Sequence, residues 1–199
     1  MKKFELTNEF VTNMFGTKLF RIRALVEFGD VEAGELGGYV EKESNLGHDD
    51  NAWVYDNAWV YGNAWVYGDA QVSGDARVYD NARVYGDAQV SGDALVYGNA
   101  QVSGDARVCG DARVCGNGDY AYAHGFGSVN RTTTFFRLKD GGVGVRCGCF
   151  YGTLAQFRDK IRETHGETKK AQEYLMLADL MELRFEEDEN EVGNRKYVE

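Results

Sequence analysis

Eleven valines stand six residues apart without interruption, at Val54, Val60, Val66, Val72, Val78, Val84, Val90, Val96, Val102, Val108 and Val114. An alanine lies two residues before each, from Ala52 to Ala112, and Asn or Asp lies three before. Two residues after each valine comes Gly, except at Asp56 and Asp80. A period of six admits few folds, because each unit is one short strand and one turn, and units must stack to bury what a single unit exposes. Three units make a coil of eighteen residues, so residues eighteen apart lie over one another at the strand spacing of about 4.8 Å. The pattern predicts a mainly β chain built on a parallel β-helix, a triangular prism. Valine fills its interior, alanine sits near the crowded corners, and Gly with Asn or Asp makes the left-handed turns.

The 199 residues carry 32 acidic and 22 basic side chains, a net charge of −10. That balance argues against a broad phosphate-binding surface, and so against direct nucleic-acid binding. It leaves room for a small pocket with a few arginines, or for an acidic body that imitates nucleic acid. Proline is absent, and the 25 glycines concentrate in the repeat, where they serve turns. No stretch approaches the ~20 apolar residues of a membrane span, and Met1 to Glu5 lacks an apolar signal core, so a cytoplasmic protein is expected. The four cysteines fit a reducing compartment. Cys147-Gly148-Cys149 lacks the second spaced pair of a zinc site, and the aspartates lack the ligand spacing of a calcium loop. Neither metal nor cofactor is expected.

Three segments follow. Residues 1–50 read as an N-terminal β cap and the start of the wrap, with a strand over Leu19–Leu25. Val40 and Leu46 are already six apart, and the eight-residue step to Val54 implies a two-residue bulge over residues 47–50. Residues 51–116 are the β-helix. Residues 117–199 form a C-terminal hairpin and two helices, after an irregular Gly-rich stretch over 117–131. The hairpin spans Thr132–Phe150, with Phe136, Leu138, Val143, Val145, Cys147 and Cys149 at period-two positions and Asp140-Gly141-Gly142 as its turn. Thr153 caps a helix carrying Leu154, Phe157 and Ile161, which stops at Gly166. A second helix covers Thr168–Phe185, with Ala171, Tyr174, Leu175, Ala178 and Met181 on its apolar side. The acidic tail over residues 186–189 reads as solvated.

The register sorts the outward residues into faces. One carries Tyr61, Tyr79 and Tyr97, then Cys115. Another carries Tyr67 and Tyr85, then Ser103. The remaining face carries Tyr55, Ser73, Ser91 and Cys109 beside Trp53, Gln71, Gln89 and Arg107. Two corners stack aspartates (Asp69, Asp87 and Asp105; Asp75, Asp93 and Asp111), and the third stacks Asn63, Asn81 and Asn99. The first coil sets two aromatics on every face. They serve as packing under the terminal segments, as a subunit interface at Trp53, Trp59, Tyr61, Trp65 and Tyr67, or as a platform for a ligand ring. Arginine beside tyrosine can hold a phosphate while a ring stacks, which makes Arg77, Arg83, Arg107, Arg113, Tyr79, Tyr85, Tyr97 and His124 candidate ligand contacts. The alternative for these arginines is pairing with the corner aspartates.

The unit Val-(Tyr/Ser)-Gly-(Asn/Asp)-Ala-X over about residues 40–116 resembles the hexapeptide motif of left-handed parallel β-helix proteins. The resemblance implies a left-handed coil and trimers with parallel prism axes. Many such proteins are acyltransferases that use a histidine at an inter-subunit cleft. His48, His124 and His165 are the only histidines, and none lies in a motif that specifies acyl transfer. Beyond the array, Arg21–Leu25, Gly34–Leu46 and Cys147–Leu154 make the whole chain similar to transferase-like hexapeptide-repeat proteins of phages and prophages. The expected function is therefore a non-catalytic homotrimeric binding protein that sequesters a nucleotide-type immune signal in inter-subunit clefts. Two alternatives remain: an acidic decoy that inhibits a host nucleic-acid-binding protein, and an acyltransferase working through His48 or His124.

Overall fold

A computed structural model describes residues 2–127 and 131–186. The acidic tail from residue 187 to 189 lies outside these described residues. Eleven two-residue strands occupy the array, one at each valine from Trp53–Val54 to Arg113–Val114. They pair in parallel with partners eighteen residues away, giving a three-faced parallel β-solenoid of about four turns. Val54, Val72, Val90 and Val108 stack on the first face. Val60, Val78, Val96 and Val114 stack on the second. Val66, Val84 and Val102 stack on the third. All eleven valines are 0% exposed, each worth about 1.5–3 kcal/mol of burial. Backbone amides run from coil to coil, as in Trp59 N to Ala76 O at 2.9 Å and Tyr61 N to Val78 O at 3.0 Å.

The corners explain the turn residues. Gly92 has φ +70°, and a Cβ there would lie 3.0 Å from Gly110 N in the next coil. Asp56 and Asp80, at φ 53° and 59°, occupy the same left-handed position without being glycine. Their carboxylates accept the amides of Gly74 at 3.0 Å and Gly98 at 3.2 Å. The aspartate thus supplies a coil-to-coil bond in return for its backbone strain. The expected asparagine ladder is present, with Asn63 Nδ2 donating to Asn81 Oδ1 at 3.2 Å and Asn81 Nδ2 to Asn99 Oδ1 at 3.4 Å.

At the N-terminal end, β1 (Phe4–Thr12), β2 (Lys18–Ala24) and β3 (Leu36–Val40) form an antiparallel meander. β3 then pairs in parallel with Trp59–Val60, which extends the second face into a seven-stranded sheet. Val40 pairs with Val60 and Leu46 bridges Val66, two residues beyond the regular register, as the bulge requires. β1 itself is absent from the sequence reading, because a bulge between Leu6 and Phe10 breaks its alternation. The open edge of the first coil is closed by side chains. Asn45 Nδ2 donates to Gly62 O at 3.2 Å and Ala64 O at 2.8 Å. Glu41 accepts Gly62 N at 2.7 Å. The Lys3 ammonium donates to Asp50 O at 3.1 Å and Ala52 O at 2.8 Å. An unpaired strand edge invites further pairing, and these caps remove the invitation.

The strands after β3 are numbered through the array as β4 to β14. β15 (Tyr120–Phe126), β16 (Arg131–Arg137), β17 (Val143–Cys147) and β18 (Phe150–Thr153) then make an antiparallel sheet. Two expectations are corrected here. Tyr120–Phe126, read as irregular from its flanking glycines, is a strand paired to β16. Cys149 is not on the strand face of Cys147. It lies in the Gly148-Cys149 turn before β18, where Gly148 has φ 59°. The Asp140-Gly141-Gly142 turn is as expected, with Asp140 Oδ1 accepting Gly142 N at 2.9 Å. β16 has two working sides. Phe136 belongs to the core of the solenoid, and Phe135 joins a second core with Val145 and the helices. Helix α1 (Leu154–His165) starts at Thr153, whose hydroxyl accepts Gln156 N, and ends at Gly166. Helix α2 (Lys169–Phe185) buries Ala171, Tyr174, Ala178, Met181 and Phe185.

Candidate functional site

With the valines sealed inside, chemistry is left to the outward rows and the ends. The second face carries a column of tyrosines. Tyr61 and Tyr79 stack at 5.0 Å and 4°, and Tyr79 and Tyr97 at 5.2 Å and 7°. On the third face Tyr67 and Tyr85 stack at 5.0 Å and 6°. The separation is that of successive coils, so the solenoid itself sets the stacks. Each interior ring therefore spends its faces on its own column and presents its edge and hydroxyl outward. A base cannot enter between them. Burial pushes the Tyr79 and Tyr97 hydroxyls up to about 12, so both stay protonated near neutrality.

The columns end before the tube does. Below Tyr97 stands Cys115, whose backbone N donates to Asp119 Oδ2 at 2.9 Å. Below Tyr85 stands Ser103, and no second ring lies against Tyr85 on that side among the described residues. Around Ser103, Tyr120 donates its hydroxyl to Gln101 O at 2.6 Å. Asn117 Oδ1 accepts Gln101 N at 2.9 Å, and the Tyr122 hydroxyl stands where a side chain on Gly104 would go. On the other side of the corner, Thr134 Oγ1 accepts Arg107 N at 2.9 Å. The C-terminal sheet thus caps the last coil as the N-terminal segment caps the first.

The eight ligand candidates fall into two groups. Arg77, Tyr79, Tyr97 and Arg113 share the second face. Arg77 lies over the Trp59 ring at 4.6 Å, and Arg113 Nη1 donates to Asp93 O at 3.0 Å and Ala112 O at 2.9 Å. Arg83 and Tyr85 share a strand turn on the third face. Arg107 lies on the first face. His124 stands at the corner between those two faces, its Nδ1 2.8 Å from Thr132 Oγ1 and 3.4 Å from Asp105 Oδ2. The expected alternative, pairing with the corner aspartates, does not describe these arginines. Arg77, Arg83 and Arg107 form no ion pair with a carboxylate among the described residues, and Arg113 takes backbone carbonyls.

Of the aromatic belt in the first coil, Trp53 is corrected outright. It is 0% exposed, wedged edge-on against Phe4 at 6.2 Å and Phe28 at 5.3 Å, and cannot meet a second subunit. Its unit is identical in kind to those of Trp59 and Trp65. It differs because the N-terminal segment folds over the first face. Trp59 and Tyr61 are half-buried, Tyr67 packs on Trp65 at 4.0 Å, and Trp65 remains 42% exposed.

The histidines are far apart in role. His48 Nδ1 accepts the Lys3 amide at 3.2 Å and its ring stacks on Phe4 at 4.4 Å. Burial holds its pKa below the ordinary value. His165 lies at the end of α1, stacked on Tyr174 at 5.9 Å. His124 alone is open to solvent with a carboxylate behind it. Among the described residues no three His, Cys, Asp or Glu side chains gather as a metal-binding set. Both aspartate corners are exposed along their length. They border the first face, where a shallow groove runs between Asp30, Tyr55, Asp69, Gln71, Asp87 and Gln89. No helix among the described residues is long and apolar enough to cross a membrane.

Three consecutive stretches, residues 50–69, 70–86 and 88–104, match the family model described as the YdcK Beta solenoid repeat. The matched stretches fall within the array. With the coil-to-coil register, they make the chain a β-solenoid repeat protein. No curated protein matches the chain.

Proposed function

We propose that the protein is a non-catalytic binding scaffold, a homo-oligomer and most simply a trimer, that captures a small nucleotide-type ligand on its outward tyrosine and arginine rows. One observation carries this reading. In a chain of net charge −10, Arg77, Arg83 and Arg107 stay free of carboxylates among the described residues, and Arg77 and Arg83 lie on the faces that stack tyrosines. Such rows offer phosphate contacts and flat apolar edges together. Parallel prisms would bring these faces into inter-subunit clefts. The half-buried Trp59 and Tyr61 and the exposed Trp65 are the surface such contacts would cover. Given the resemblance to phage-encoded repeat proteins, sequestering a host immune signal is the biological role that fits. Light scattering should return about three times the 22.2 kDa chain mass, and isothermal titration should give heat with cyclic or ADP-ribose-type nucleotides. A monomer that takes up none of them would overturn the proposal.

Two specific observations favour other readings. The exposed aspartate ladders at two corners would suit an acidic decoy for a basic host protein, although their coil spacing of about 4.8 Å is shorter than the ~7 Å between phosphates on a strand. A pull-down that recovers no basic host protein counts against the decoy. The His124–Asp105 contact has the form of an oriented general base. Acyl transfer through it would be abolished in His124→Ala, and acetyl-CoA that fails to bind removes it.

A further inference from the structure

We infer that the step where the third-face tyrosine column ends, above Ser103, is the seat of a nucleobase, which stacks on the Tyr85 ring. This rests on the nucleotide-binding reading above and places it in a single chain. The column sets the geometry. Tyr67 and Tyr85 stack 5.0 Å apart and 6° from parallel, so a further ring in register would occupy the level of Ser103. Serine is too short to do so, and no other ring is stacked on Tyr85 there among the described residues. The ring is held flat from above before any ligand arrives, so stacking on it costs little ordering.

The surroundings suit a base with a polar edge and an anionic substituent. Ser103 forms the back of the step, with its hydroxyl beside that of Tyr120. The side-chain amide of Gln101 is exposed next to it, while its backbone is held from below by Asn117 and Tyr120. The His124–Asp105 pair closes the corner side, offering a ring nitrogen and a carboxylate to base N–H and carbonyl groups. Arg83 stands one coil above, in register over Gln101 and beside Tyr67; it has no carboxylate partner among the described residues, and a phosphate reaching up from the step would meet it. Of the eight candidates read from the sequence, Tyr85 roofs the step and His124 borders it through Asp105, with Arg83 one coil above. Among the described residues the second-face column also ends, below Tyr97. The back there is Cys115 and the floor the Asp119 carboxylate, which receives the Cys115 and Gly116 amides at 2.9 and 3.0 Å. The side chain level with Cys115, Arg113, is spent on the carbonyls of Asp93 and Ala112, whereas the Gln101 amide beside Ser103 is exposed.

The test fills the step. Ser103→Tyr continues the column by one ring and should abolish uptake of AMP, GMP, UMP or ADP-ribose, whichever of these the wild-type chain binds in titration calorimetry. Tyr85→Ala should weaken the same ligand tenfold or more, as loss of one base–aromatic stack does. Cys115→Tyr, which fills the other step, should leave it unchanged. Circular dichroism on each variant confirms the solenoid. Wild-type binding that survives both Ser103→Tyr and Tyr85→Ala would overturn this site while leaving the binding function standing. Loss in Cys115→Tyr alone would move the site to the second face and overturn it equally. A wild-type chain that binds none of the four nucleotides sinks both.

Discussion

Val84 in the middle of the array meets Val66 above and Val102 below, in surroundings that repeat around every other valine. Phe136 at the C-terminal end meets nothing that recurs. It plugs the core from a strand whose preceding residue, Phe135, belongs to a different core. Asn45, Glu41, Lys3, Asn117, Asp119 and Thr134 each close one end by a bond that appears once. The array is stabilised by repetition, as nearest-neighbour coils in a solenoid are, and the ends by individual side chains. The difference teaches where chemistry can reside. A repeated position is copied on every coil, so an asymmetric site forms only where the copying stops. The third-face tyrosine column stops at Ser103.

Five substitutions would break or sharpen this contrast, the largest effect first. Phe136→Ala should cost about 3–5 kcal/mol in chemical denaturation, since it opens the end of the tube and leaves a cavity under the last coil. Val84→Ala should cost less, about 2 kcal/mol, with two methyl groups lost from a wall that neighbours above and below still support. A reversed order would mean that the plug is not what closes the tube. At the corners, Gly92→Ala should cost about 1–2 kcal/mol, because alanine must adopt a left-handed φ with its Cβ against Gly110. Asp80→Gly should fall within about 1 kcal/mol of wild type, since relief of strain offsets loss of the bond to Gly98 N. Equal, large losses at Gly92 and Asp80 would show that the corners are set by something other than backbone sterics.

The last concerns the N-terminal cap. His48 accepts the Lys3 amide, so it must be neutral, and burial lowers its folded pKa. A base with a depressed folded pKa contributes stability that is present above its ordinary value near 6.5 and is lost as pH falls through the lowered folded value. The thermal midpoint should therefore drop further on acidification below about 6.5 in wild type than in His48→Asn. Identical acid profiles would remove His48 from the cap.

The array was legible in the sequence because its period is strict. Faces, corners, the asparagine ladder and the Gly47–Asp50 bulge all follow from counting by six and eighteen. Thr153 and Gly166 were legible because helix termini have their own chemistry. What counting could not give is what happens once. Trp53, Trp59 and Trp65 occupy equivalent positions, and only the fold-back of Phe4 and Phe28 buries the first. The strand Tyr120–Phe126 hides among glycines, and its role comes from docking on Gln101 and Gly104. The end caps are single polar residues with no pattern around them. At the candidate site, Arg83, Tyr85 and His124 were visible as residue types. The site proposed at Ser103 depends on His124, which the C-terminal sheet brings to Asp105. The flat stacking that shuts a base out of the column interiors is a coil-spacing effect which residue names alone do not convey.

The central claim is capture without conversion. Its most direct test is to saturate the protein with each nucleotide it binds in calorimetry, hold the complex for hours, then denature it and weigh the released ligand by mass spectrometry. The account predicts stoichiometric binding and a ligand recovered at unchanged mass, with wild type and His124→Ala alike. A ligand that returns hydrolysed, acylated or otherwise altered by wild type but intact from His124→Ala would contradict it.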